Sequence, residues 1–206
     1  MGLTSRKKRP LIRQSNQLRD TKLFVIATEG EKTEKQYFSQ FNSSRIQLKI
    51  LHTEDSHSSP NHVLNRLESY VEEFQLGEED ELWLVVDVDR WGDKKLAQVC
   101  QACVQKNFHT AVSNPCFELW LCLHHVSASE FLHLGNTTCS YFDDRLRDRL
   151  GSYNRSQLDL SAFSPRISFA IEQAKQLHND RSERWPSVLG SHVYKLIEKL
   201  GTVVST

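Results

Sequence analysis

A chain of 206 residues, 38% hydrophobic and 25% charged, carries enough apolar material for one packed domain and argues against wholesale disorder. No apolar run approaches the roughly 18 residues that a membrane span needs. The basic start, Met1 to Arg9, has no apolar stretch behind it, so a cytoplasmic chain without a secretion signal is expected. The net charge is zero but segregated: Arg6, Lys7, Lys8, Arg9, Arg13, Arg19 and Lys22 face only Asp20, whereas Glu68 to Glu81 holds seven acids and no Lys or Arg. The basic arm is a candidate phosphate-backbone contact, or else a solvated tail, or one docked on the chain's own acidic surface.

In chain order, residues 1–20 are polar and basic and are expected to form a flexible arm. Lys22 to Thr28 is an apolar, β-branched run and predicts the first strand. Glu31 to Phe41 predicts a helix, with Tyr37, Phe38 and Phe41 on one face. Ile46 to Leu51 alternates as a second strand. Ser59 at the N-cap and Pro60 at the first helical position open a helix running to about Phe74. Glu81 to Val86 is the third and most hydrophobic strand. A helix follows over Lys94 to Gln105, then a short strand over Phe108 to Val112. Further helices are expected at Cys116 to His125, Tyr141 to Leu150, Ser164 to Asn179 and Ser191 to Leu200. Strands alternating with helices predict an α/β fold with a mostly parallel sheet flanked by helices, over residues 21–135, and a mainly helical C-terminal part over 136–206 packed on that core.

The chemistry gathers where two strands end in acids. The first strand runs into Glu29-Gly30-Glu31-Lys32-Thr33-Glu34, and the third into Asp87-Val88-Asp89. In a parallel sheet both ends lie at the carboxyl edge, where open α/β folds place their sites. Asp87 and Asp89 are two apart and share a face of a continuing strand. With Glu29 alongside, three carboxylates converge, and such a cluster calls for a cation; hard oxygen ligands favour Mg²⁺ or Mn²⁺. Glu31 and Glu34 fall in a first helical turn, where the helix dipole alone favours acids, yet Glu34 can point into the same cleft. In Ser113-Asn114-Pro115-Cys116-Phe117-Glu118, Asn114 and Pro115 suit a helix start, and Asn114 or Glu118 is placed to line the cleft. Lys195 is a candidate cation for a phosphate transition state, or else an exposed helix lysine.

Five cysteines is an odd number, read as reduced thiols. Cys100 and Cys103 form a CxxC that suits zinc, or simply a shared buried helix face. His52, His57 and His62 match no ligand spacing and are read as loop residues.

Val25 to Glu34, Val85 to Asp89, Val112 to Leu121 and the late stretch Trp185-Pro186 to Leu196 resemble the RloB family, which includes AbiLii-type abortive-infection proteins. That resemblance implies a Toprim-like fold, with Glu29 as the acid after the first strand, Asp87 and Asp89 as the Asp-x-Asp, and Glu34 or Glu31 as a second acid. It further implies a metal-dependent nuclease effector of phage defence, acting on DNA or RNA, tRNA included, beside an AAA or ABC-type ATPase. The chain has no GxxxxGK[ST] of its own, so ATP dependence would come from that partner. The alternative is a non-catalytic nucleic-acid-binding or ATPase-binding regulatory subunit. Homo-oligomerisation is left open.

Overall fold

The computed structural model describes residues 21–53, 59–88, 91–135, 137–178 and 183–205. The basic arm, His57 and Asp89 lie outside these residues.

The elements are β1 (Lys22–Thr28), α1 (Thr33–Ser39), β2 (Ile46–Leu51), α2 (Pro60–Glu73), β3 (Glu81–Asp87), α3 (Asp93–Gln105), β4 (His109–Asn114), α4 (Phe117–Cys122), α5 (Cys139–Leu150), α6 (Ile167–Leu177), β5 (Gly190–Ser191) and α7 (Val193–Ser205), with short 3₁₀ turns between α4 and α6. The five strands form one sheet in the order β2-β1-β3-β4-β5. The first four are parallel and the two-residue β5 is antiparallel to β4. This is the α/β sheet with a helical C-terminal part that the alternation predicts.

Both faces of the sheet are covered, which is why β1 and β3 read as nearly continuous apolar runs. Successive side chains alternate between the faces. Phe24 and Ile26 of β1 join Trp83 and Val85 of β3 in a core shared with α1, α4, α5, α6 and α7. Val25 and Ala27 join Leu84 and Val86 in a second core under α2 and α3. α2 buries Val63, Leu64, Leu67 and Tyr70 at helical spacing, with Pro60 at its first turn. α5 stops at Gly151, whose φ of 71° is the left-handed conformation that glycine accepts most readily.

α1 carries the chain from β1 outward to β2 on one face, while α2 returns past β1 to β3 on the other. The strand order therefore reverses between β1 and β3, and the crevice outside the carboxyl ends of those two strands is the topological switch point.

Three local expectations change. Asn114 and Pro115 do not start a helix: Asn114 is the last residue of β4, opposite Gly190, a cis peptide joins it to Pro115, and α4 begins at Phe117. The Asn114 amide instead donates to the Pro186 carbonyl at 2.9 Å. Ser191 belongs to a strand, since the edge of β4 offers a partner that a single sequence does not announce; α7 starts only at Val193. His62 lies within α2 rather than in a loop. The acidic stretch also has internal work. Asp80 accepts the main-chain N–H groups of Leu23 and Gly77, Glu81 pairs with Lys22 at 2.7 Å, and Glu68 lies 3.3 Å from Lys106. Cys100 and Cys103 are free thiols buried on α3, so a shared apolar face accounts for their spacing. Among the described residues no helix is long and apolar enough to cross a membrane.

Candidate functional site

Glu29 follows the last residue of β1, and its N–H still bonds the Val85 carbonyl at 3.0 Å, so the strand carries it to the sheet edge. Its carboxylate reaches across the switch point. Oε2 accepts the main-chain N–H of Asp87 at 3.1 Å, and Oε1 accepts the Trp91 indole N–H at 3.0 Å. Glu29 is only 7% exposed. Two N–H donors fix its orientation. Behind it, Thr53 Oγ1 donates to the Glu29 carbonyl at 2.8 Å, and the Arg66 guanidinium donates to Thr53 Oγ1 and the Thr28 carbonyl. The backbone at the end of β1 is thus clamped from α2.

Gly30 makes the next turn possible. Its N–H donates to Glu34 Oε1 at 2.9 Å, and a Cβ at this position would collide with the Glu34 carboxylate. The carboxylate of α1 therefore folds back over the glycine into the cleft. Glu34 is buried, and burial is the main reason that its pKa is pushed up to about 7; Glu118 and Glu29 add to the rise, and hydrogen bonds from its own N–H and that of Gly30 oppose it. Glu118, in the first turn of α4, is 6% exposed and is also held above the usual carboxylate range, first by burial, with Arg155 opposing.

Glu29, Glu31, Glu34, Asp87 and Glu118 line one cleft of about 320 Å³, together with Cys116, Cys139 and Arg155. Arg155 forms its far wall: Nε lies 3.1 Å from Glu118 Oε1, and Nη2 lies 2.7 Å from Asp143 Oδ2. The thiols of Cys116 and Cys139 lie at the same wall, and the neighbouring Cys139 thiol is the largest cause holding the Cys116 pKa far above its ordinary value, ahead of burial.

The structure thus brings together Glu29, Glu31, Glu34, Asp87 and Glu118. Asp89 lies outside the described residues, and among those described no three His, Cys, Asp or Glu side chains are arranged as a ready metal-binding group. Lys195 is not part of the cleft's lining; it faces a different cavity between α6 and α7. Sequence reasoning missed Trp91, Arg66 and Arg155. Trp91 stands beside Gly92 between a strand and a helix, where a sequence announces a turn and nothing more. Arg155 stands 37 residues beyond Glu118 in a polar loop, with no spacing that ties it to an acid.

An α/β protein with an acidic cleft at the switch point of its sheet is the class that this fold and site define. The chain belongs to the RloB-like family: the family model described as RloB-like protein matches residues 24–200, from β1 into α7 and including every cleft residue named above. No curated protein and no solved structure matches the chain.

Proposed function

We propose that this chain is a Toprim-type metal-dependent nuclease that hydrolyses phosphodiester bonds at the β1/β3 cleft, acting in anti-phage defence with a partner ATPase. Membership in the RloB-like family supports a defence-associated protein. The observation that carries the chemistry is the Glu29 carboxylate, locked onto Asp87 across the switch point within a cleft shared with Glu34 and Glu118.

The donor set suits a hard divalent cation: all the acids present oxygen, and the pKa of Glu34 is raised first by burial, with Glu118 and Glu29 adding to it. Glu29 and Asp87, with Asp89 following in sequence, would hold Mg²⁺ or Mn²⁺. Such an ion, when bound, acidifies a water and stabilises charge on a phosphate. The rest falls to the chain's own groups. Asp87 N–H and the Trp91 indole keep Glu29 oriented. Glu34, titrating near neutrality, can take up or release a proton beside the reacting phosphate, which is what a general acid–base needs. Arg155 is the cation placed to meet phosphate oxygens, in the role that sequence alone suggested for Lys195.

The test mixes wild-type, Asp87→Ala and Glu29→Ala protein with plasmid, single-stranded DNA and bulk tRNA, in Mn²⁺ or EDTA, with and without the ATPase. Metal-dependent cleavage lost in both variants is expected. Cleavage retained in folded variants overturns the assignment, and a folded complex inactive in every lane points instead to a regulatory subunit.

A further inference from the structure

A second polar centre lies at the far side of the sheet, where β5 hands over to α7. The His192 N–H donates to the Val112 carbonyl at 2.8 Å and pins this residue to the edge of β4. Lys195 Nζ lies 3.3 Å from His192 Nδ1, His192 Nε2 lies 3.2 Å from His178 Nε2, and His178 Nδ1 lies 2.7 Å from the Tyr194 hydroxyl. The protonation pattern follows from the first link. An ammonium only donates, so His192 Nδ1 accepts. A neutral His192 then carries its proton on Nε2 and donates it to His178 Nε2. His178 in turn carries its proton on Nδ1 and donates to the phenol oxygen. All three bonds run one way, from Lys195 to Tyr194.

Lys195, His178 and Tyr194 line one cavity of about 260 Å³ with Lys175 and Glu198. Its charge is lopsided. Lys175 is answered by Glu198 at 2.5 Å, but among the described residues no carboxylate pairs with Lys195. Lys195 is partly buried and sits in the first turn of α7, where the helix dipole is itself positive and disfavours a cation. Burial accordingly holds its pKa below the usual lysine range. A partly desolvated lysine at the positive end of a helix, with no carboxylate against it among the described residues, complements a small oxyanion. The space, about 260 Å³, holds a phosphate with room for a substituent or for waters.

We propose that the α6/α7 cavity binds a phosphate-type anion, free or as the terminal phosphate of a nucleotide, through Lys195 and Tyr194, with Lys175 beside them. The site is separate from the acidic cleft: Asp87 pairs with Ser113 and Ser113 with Ser191, so Asp87 and Ser191 are two strand spacings, roughly 10 Å, apart. It does not rest on the cleavage reading.

Inorganic phosphate titrated calorimetrically into the full chain, in metal-free buffer at fixed ionic strength with chloride as control, tests it. Saturable binding is expected, weakened roughly tenfold or more in Lys195→Met and unchanged in Asp87→Ala. Tyr194→Phe removes only the hydroxyl and serves if Lys195→Met does not fold; it too should weaken binding. Absence of saturable binding, equal affinity in the folded cavity variants, or loss of binding in Asp87→Ala overturns the proposal. Displacement by a 5′-phosphorylated oligonucleotide, but not by its hydroxyl-ended twin, identifies a nucleotide terminus as the source; displacement by neither identifies the free ion. Each supports the site.

Discussion

The carboxylate of Glu29 bridges the ends of β1 and β3, accepting the Asp87 main-chain N–H on one oxygen and the Trp91 indole N–H on the other. Removing it affects more than charge. Glu29→Ala leaves two N–H groups at a partly buried edge without their acceptor, at about 1–3 kcal/mol each when water cannot replace it. Glu29→Gln keeps one acceptor oxygen. Urea unfolding should therefore rank wild type above Glu29→Gln above Glu29→Ala, while both variants lose cleavage.

Gly30→Ala separates geometry from stability. The new Cβ would fall on the end of the Glu34 side chain, which is flexible and can swing away. The stability cost should be only about 1 kcal/mol, the worth of the lost Gly30–Glu34 hydrogen bond. Activity should drop as far as in Glu34→Ala, because the carboxylate leaves the cleft. Thermal melting alongside a single-turnover assay reads both.

Arg155 brings a positive charge to the acids that would hold a cation. Its side chain is half exposed but its partners Glu118 and Asp143 are mostly buried, so Arg155→Gln should also lower stability by leaving those carboxylates unanswered. Calorimetry should show Mn²⁺ binding several-fold tighter in this variant, more so at low salt, while cleavage falls. Weaker Mn²⁺ binding would mean that Arg155 shapes the acids rather than competing for them.

Acid stability is set partly by a core histidine. His124 Nδ1 donates to the Trp120 carbonyl and Nε2 accepts from the Tyr37 hydroxyl, both at 3.1 Å, which fixes a neutral ring. Burial is the main cause lowering its pKa from 6.5 to about 3. The unfolded chain therefore binds a proton that the folded one refuses: this histidine's contribution is complete above pH 6.5 and is lost as pH falls towards 3. Glutamine can keep both hydrogen bonds without titrating, so His124→Gln should flatten the decline in stability between pH 6.5 and 4. An unchanged slope would place the acid sensitivity elsewhere.

The strands were legible because a sheet covered on both faces leaves an unmistakable apolar run, and β1 and β3 fall where those runs lie. Glu29 and Asp87 were legible for the same reason: an acid directly after such a run has no place in the core. β5 was not legible, since two residues, Gly190 and Ser191, pair only because β4 presents a free edge. Asn114-Pro115 misled because the dipeptide suits a helix start as well as a strand end. Arg155 and Trp91 enter the cleft through contacts distant in sequence, which no local pattern encodes. Lys195 showed its charge but not its surroundings, which α6 and β5 create together.

The backbone carbonyl of Arg155 accepts from both Thr33 Oγ1 and Gln36 Nε2 of α1, while its guanidinium holds Glu118 and Asp143. One residue of the helical half thus fastens the helix that follows Glu29, and Phe142, Leu146 and Phe163 share a core with Phe24 and Trp83. The α/β part and its helical complement are consequently a single cooperative unit. A chain cut after residue 135 would not be a smaller stable domain but an exposed apolar face, and heat should melt the intact protein in one transition rather than two.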